Sequence, residues 1–119
     1  MIEALKNRTR LQHRVAIYVP STVDIDKAAN TEKWVENAAS GLVNLYGGAT
    51  VTEGVGYWFS DEKQAMIRES VKIVYAYSDD LQGMDGAKID QVLSFCEHMK
   101  AALKQEAISL EIDNDLYFI

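Results

Sequence analysis

Proline is nearly missing from this chain: Pro20 is the only one in 119 residues. Such scarcity argues against a linker-rich or disordered polypeptide. Cysteine is equally scarce. Cys96 stands alone, with no partner for an internal disulfide and no metal-ligand spacing around it, so neither a disulfide framework nor a thiolate metal site is expected. A reducing cytoplasm is the natural setting for such a chain. No apolar run reaches the roughly 20 residues that span a bilayer, and the opening MIEALKNRTRLQHR has no apolar stretch of the secretory kind. Neither repeats nor low-complexity tracts occur. His13 and His98 are the only histidines, and neither sits in a metal or nucleophile motif. Both read as structural or solvated, and no metal, cofactor or membrane contact is expected.

What is present is ordinary for a globular protein. With 48% hydrophobic and 25% charged residues, a chain this long closes one core without staples. Its formal charge is −6, spread unevenly. Lys6, Arg8, Arg10 and Arg14 face only Glu3 at the N-terminus, so residues 1–13 read as a basic arm ahead of a single domain, 14–119. Acidity in the rest disfavours nucleic acid, because phosphate backbones are repelled.

The pattern turns strand-like at Arg14. Val15, Ile17 and Val19 alternate with Arg14, Ala16 and Tyr18, the period of a pleated segment, until Pro20 removes a ladder donor. The polar stretch Ser21 to Asn30 reads as a loop. A helix follows, its apolar face made of Trp34, Val35, Ala38, Ala39, Leu42, Val43, Leu45 and Tyr46. Asn30 or Thr31 is placed to cap it, and Gly47-Gly48 to end it. Ala49 to Phe59 and Met66 to Tyr77 alternate and are joined by a charged link, the pattern of an antiparallel hairpin. Ser78 to Gly86 is turn-rich, with Asp85 as a candidate cap. A second helix carries Ile89, Val92, Leu93, Cys96, Met99 and Leu103 as its buried stripe. Ala107 to Ile112 and Leu116 to Ile119 flank Asp113-Asn114-Asp115, a tight turn ending in a short extra strand.

This order predicts an α+β fold of the ferredoxin-like βαββαβ type, an antiparallel sheet with both helices on one face and an extra C-terminal strand. The other face must then be polar or covered. It is not plainly polar: Tyr18 points outward, joined by Trp58 or Tyr57 and by Tyr75 and Tyr77 or Val74 and Ala76, according to register. An apolar outer face predicts a homodimer, a protein partner's surface or a small ligand pocket.

Few residues suggest chemistry. Cys96 falls on a core stripe, where a thiol is unreactive. Glu53 lies in mid-strand, where a charge needs solvent or a partner, and Glu69 could approach it, with Arg68 or Lys72 to pair. Beside Tyr57 and Trp58 such a carboxylate could serve as a base or ligand contact. No residue is assigned as catalytic. The candidate binding surface is Tyr18, Glu53, Tyr57, Trp58, Glu69, Tyr75 and Tyr77. RNA-recognition modules share the topology, but the glycine-aromatic signature of their third strand is absent here.

The run G47-G-A-T-V-T-E-G-V-G-Y-W58, the later E69-S-V-K-I-V and K104-Q-E-A-I-S-L resemble a domain-of-unknown-function family of small bacterial proteins. The resemblance covers about residues 15 to 119, includes the pair Gln105-Glu106 before the last strand, and implies a ferredoxin-like fold with no established activity. Chains of this general look also occur on phages and mobile elements. The leading expectation is a non-enzymatic interaction module that self-associates or docks on a protein through its sheet face. The alternatives are an acidic anti-defence inhibitor mimicking nucleic acid, with Asp79, Asp80 and Asp85 as its charge cluster, and a small-molecule-binding protein or enzyme with a pocket near Glu53, Tyr57 and Trp58.

Overall fold

The computed structural model describes residues 2–24, 27–79 and 86–119. Strand β1 (His13–Pro20) leads into a two-stranded ribbon, β2 (Thr22–Val23) and β3 (Lys27–Ala28), then helix α1 (Glu32–Tyr46), the long hairpin β4 (Thr50–Ser60) and β5 (Ala65–Ser78), helix α2 (Ala87–Ala102), and the closing pair β6 (Ser109–Ile112) and β7 (Asp115–Phe118). The large sheet has the order β4-β5-β1-β6-β7, antiparallel throughout. The fold is therefore α+β, with two helices and a five-stranded antiparallel sheet. The β2–β3 ribbon is a departure: a segment expected to be a plain loop pairs Thr22 with Ala28 and Val23 with Lys27.

The register decides which side chains meet the helices. Val15 opposes Ala76 and Ile112, and Ile17 opposes Val74 and Leu110. These side chains share a face; all but the half-buried Ile112 are almost wholly buried at its centre. Val35, Ala38 and Leu42 of α1 and Val92, Cys96 and Met99 of α2 belong to the same core cluster. At roughly 25 cal/mol per Å² of apolar surface removed from water, this burial is the main favourable contribution to folding. Helix α1 ends where Gly47 takes φ +92° and its N–H bonds the Val43 carbonyl, a conformation glycine adopts without steric penalty. At its start Asn30 Oδ1 accepts from the Glu32 amide, while Thr31 Oγ1 donates to the Pro20 carbonyl at 2.6 Å and ties the helix to the end of β1. The candidate cap Asp85 and the cluster members Asp80 and Asp85 lie outside the described residues.

The turn between β6 and β7 holds Asp113 at φ +55°, as the Asp-Asn-Asp sequence predicts. Its carboxylate accepts from the Arg14 amide at 3.0 Å and lies 3.1 Å from His13 Nδ1. These contacts hold the Asp113 carboxyl below its ordinary value, the Arg14 amide first and His13 second. His13 is thus a structural partner of the turn. His98 is exposed and lies tilted against Trp34.

The helices stop short of the hairpin's far half. Val55, Tyr57, Phe59 and Met66, on the helix side of that half, are exposed. Strand β5 alone, at about 3.3 Å per residue, is roughly 46 Å long, close to the molecule's 51 Å long axis. Beyond the helices the hairpin continues as an arm with no helix against it. No described helix is long and apolar enough to cross a membrane.

Candidate functional site

The arm does not stay flat. Ser60, at the end of edge strand β4, donates from Oγ to Glu106 Oε1 at 2.7 Å. Glu106 lies just before β6, three strands away in the sheet order. A flat sheet would hold them about 14 Å apart, at roughly 4.8 Å per strand. The arm therefore curls across the sheet face that the helices leave bare. Under it lies a cavity of about 710 Å³ between the hairpin, the segment 105–109 and the β7 side chains Leu116 and Phe118.

Register again selects what enters. Gly56 pairs with Glu69, Gly54 with Val71, and Trp58 with Ile67, all on the bare face. The two glycines leave room where any other residue would project a side chain. A Cβ on Gly56 would meet nothing nearer than 3.9 Å. Tyr18 and Trp58 supply aromatic wall, and Tyr57 and Phe59 border the cavity along the edge strand.

Glu69 is the centre of interest. Only 9% exposed, it accepts from Thr22 Oγ1 at 2.8 Å. Burial pushes its carboxyl above the ordinary value, against the Thr22 hydroxyl and the Ser21 backbone amide, which pull it down. Such a carboxylate has a strong reason to attract a cation. Asp61 and Glu106 also line the cavity, and no lysine or arginine is among its described lining residues. The enclosure is anionic, aromatic and otherwise apolar.

Tyr18 extends the polar side. Its hydroxyl donates to Glu111 Oε1 at 3.1 Å, and burial first, then this carboxylate, raises the Tyr18 pKa. Among the described residues no group of three or more His, Cys, Asp and Glu side chains could hold a metal ion.

The seven candidate residues separate. Tyr18, Trp58 and Glu69 come together at the cavity, with Tyr57 at its border. Glu53 does not join them. It faces the helix side, where the Lys72 ammonium bonds it and holds its carboxyl below the ordinary range. The expected Glu53–Glu69 approach fails on register: Glu53 opposes Lys72 and Glu69 opposes Gly56. Glu69 and Lys72 are an odd number of positions apart, so the two carboxylates fall on opposite faces. Arg68 does not pair with Glu69 either, since its Nε donates to the Tyr57 hydroxyl at 2.9 Å. Tyr75 and Tyr77 share the bare face but sit beyond the cavity, packed edge to face at 5.9 Å, with the Arg14 guanidinium 4.4 Å from the Tyr75 ring centre. Cys96 is fully buried, its thiol pushed up to about 12 mainly by desolvation, and is inert as expected. Sequence reasoning missed Thr22, Ser60 and Gly56. It met Gln105-Glu106 only through a resemblance.

No family model matches this chain, and no curated protein matches it. Two solved structures do. One is a phage SAM lyase in complex with S-methyl-5′-thioadenosine, 17% identical, with 94% of each chain covered and a TM-score of 0.68. The other is a phage SAM lyase in the apo state, 17% identical, covering 96% of this chain and 93% of that one, with a TM-score of 0.65. At this identity the likeness is one of fold. It tells against the expectation of a non-enzymatic interaction module, because the two structures that share this architecture are both of a phage SAM lyase. Part of the bare face, expected to meet a protein or to hold a small ligand pocket, carries a cavity beneath the curled arm. The nucleic-acid mimic falls with the same expectation.

Proposed function

We propose that the chain cleaves S-adenosylmethionine, releasing S-methyl-5′-thioadenosine. The observation that carries this reading is the cavity of about 710 Å³ with buried Glu69 beneath the curled arm, on a fold shared with a phage SAM lyase. Two features fit this substrate. A carboxylate-lined, aromatic enclosure favours a cation, and the substrate carries a sulfonium and an ammonium. A volume of several hundred Å³ suits a nucleoside-sized ligand.

The product retains the methyl and adenosyl groups, so the bond that breaks joins sulfur to the four-carbon amino acid chain. The bonding electron pair stays on sulfur, leaving a neutral thioether. The carbon is attacked by the substrate's own carboxylate oxygen, which closes a lactone. Atoms and charge balance with no water, no added base and no proton transfer. Opposite charges on sulfur and carboxylate vanish together, so displacement of water from them on binding favours the transition state over the separated charges. Because no lysine or arginine is among the cavity's described lining residues, the substrate carboxylate is left free to turn inward. Glu69 holds the cationic end.

We read the fold as a ferredoxin-like frame extended by β7, and the chain as cytoplasmic, where this substrate is made and used. Incubation of the purified protein with S-adenosylmethionine, followed by chromatography, tests the proposal. S-methyl-5′-thioadenosine and lactone should appear in equal amounts. Intact substrate after prolonged incubation would sink it.

A further inference from the structure

We propose that Gln105 and Glu106 are the positioning residues of this cavity: Gln105 steadies the Thr22 contact to Glu69, and Glu106 clasps the arm through Ser60. This rests on the reading above for its kinetic consequences and on the geometry alone for the clasp.

The two neighbours reach opposite walls. Gln105 is 8% exposed, and its Nε2 donates to the Thr22 carbonyl at 3.0 Å and to the Leu103 carbonyl at 3.1 Å. Thr22 in turn donates from Oγ1 to Glu69. The ribbon carrying Thr22 is two residues wide on each side, too short to hold its own place. Gln105 anchors it at Thr22, beside the Asp24 amide, which donates to the Leu103 carbonyl at 2.8 Å. On the other wall, Ser60 is fully buried at the arm's end. Its Oγ accepts from the Lys63 amide at 3.0 Å while donating to Glu106. The arm has no helix beneath its far half, so no helix packing sets its curl. A hydrogen bond to a charged acceptor holds the far end of the lever.

Loss of the clasp should open the cavity without altering the reacting groups, and loss of Gln105 should free Thr22 and leave Glu69 with one donor fewer. The test uses Ser60→Ala, Glu106→Ala, Glu106→Gln and Gln105→Ala in the full chain. Ser60→Ala and Glu106→Ala should each raise KM about tenfold, the worth of one charge-assisted hydrogen bond, with kcat nearly unchanged. Glu106→Gln keeps a carbonyl acceptor and should hold the arm closed, while its KM stays raised because a carboxylate of the cavity lining is lost. Gln105→Ala should move the acid limb of the kcat/KM profile to higher pH, and Glu106→Ala should not. Hydrogen exchange reads the clasp with no substrate present: Ser60→Ala and Glu106→Ala should speed exchange in residues 54–60, leave α1 and α2 unchanged, and be reversed by Glu106→Gln. If the wild type does not cleave the substrate, the proposed function falls while the exchange result still decides the clasp. Unchanged exchange in both alanine variants, or Glu106→Gln as open as Glu106→Ala, would overturn it. An unmoved acid limb in Gln105→Ala would overturn the part assigned to Gln105.

Discussion

Glu69 shows how one residue sets stability and function against each other. Its carboxyl is raised above the ordinary value by burial, so the folded protein holds the proton more readily than the unfolded chain. The stabilising contribution is present in full below the unfolded value, about 4.3, and is lost as pH rises through the folded value, where an ionised carboxylate must sit in an apolar enclosure. The proposed cleavage needs the ionised form, because only that form attracts a sulfonium or ammonium. Glu69→Gln should therefore melt higher than wild type at pH 7 to 8, match it near pH 4, and lose about 10- to 100-fold in kcat/KM, the worth of a charged contact in a dry site. Wild-type kcat/KM should climb with pH through the raised carboxyl, and the variant's profile should be flat over that limb. Thermal melts and kinetics across one pH series check both halves. A variant that melts lower at pH 7 would mean that Glu69 is held as a structural anchor.

Among the elements the hairpin matters most. Its alternation is plain in the sequence: Val51, Glu53, Val55, Tyr57 and Phe59 are expected on one face of β4 and occupy it. The helices are equally legible, since Val35, Ala38, Leu42, Val92, Cys96 and Met99 are the buried stripes that their spacing implies. What the pattern cannot carry is the partner strand's register. Without it Glu69 is not separable from Glu53, nor Trp58 from Tyr57, because a slip of one residue exchanges the faces. In a strand, the glycines of β4 suggest a bulge or a close approach of another chain. They prove to be the cleared floor of the cavity. Gly56→Val tests this. Valine suits a strand better than glycine by about 0.5–1 kcal/mol, and the space at this position accepts a Cβ, so the variant should fold and melt no lower than wild type. Its two methyl groups would fill the space opposite Glu69, and kcat/KM should fall about 100-fold, as displacement of a bound reactant by an ångström can cost. Gly56→Ala should fall between the two. Full activity in Gly56→Val would place the reacting groups elsewhere.

At the scale of the whole molecule the decisive feature is curl. It depends on hydrogen bonds between residues 46 and 47 apart, Ser60 to Glu106 and Thr22 to Glu69, which no local period encodes. The sequence implies a bare, greasy sheet face and offers a partner protein or a pocket to cover it, whereas the chain bends its own hairpin over that face. Such a cavity exists in the folded state alone, so any ligand it binds stabilises by mass action: about 2.7 kcal/mol at a hundredfold excess over Kd, on the order of 10 °C in Tm for a domain of this size. The charge of the lining sets which ligand does so. An adenosyl analogue with a protonated amine in place of the sulfonium cannot be cleaved at sulfur but keeps the positive charge, whereas S-methyl-5′-thioadenosine is neutral. Carboxylates at Asp61, Glu69 and Glu106 with no lysine or arginine beside them in the described lining should let the cationic analogue reach a given shift in Tm at about one-tenth the concentration of the neutral one, a difference of one charged contact. In Glu69→Gln that preference should shrink, while binding of the neutral thioether should hold or improve. Equal shifts for both ligands in the wild type would mean that shape alone governs the cavity, and the assignment of Glu69 to the cationic end would fail with them.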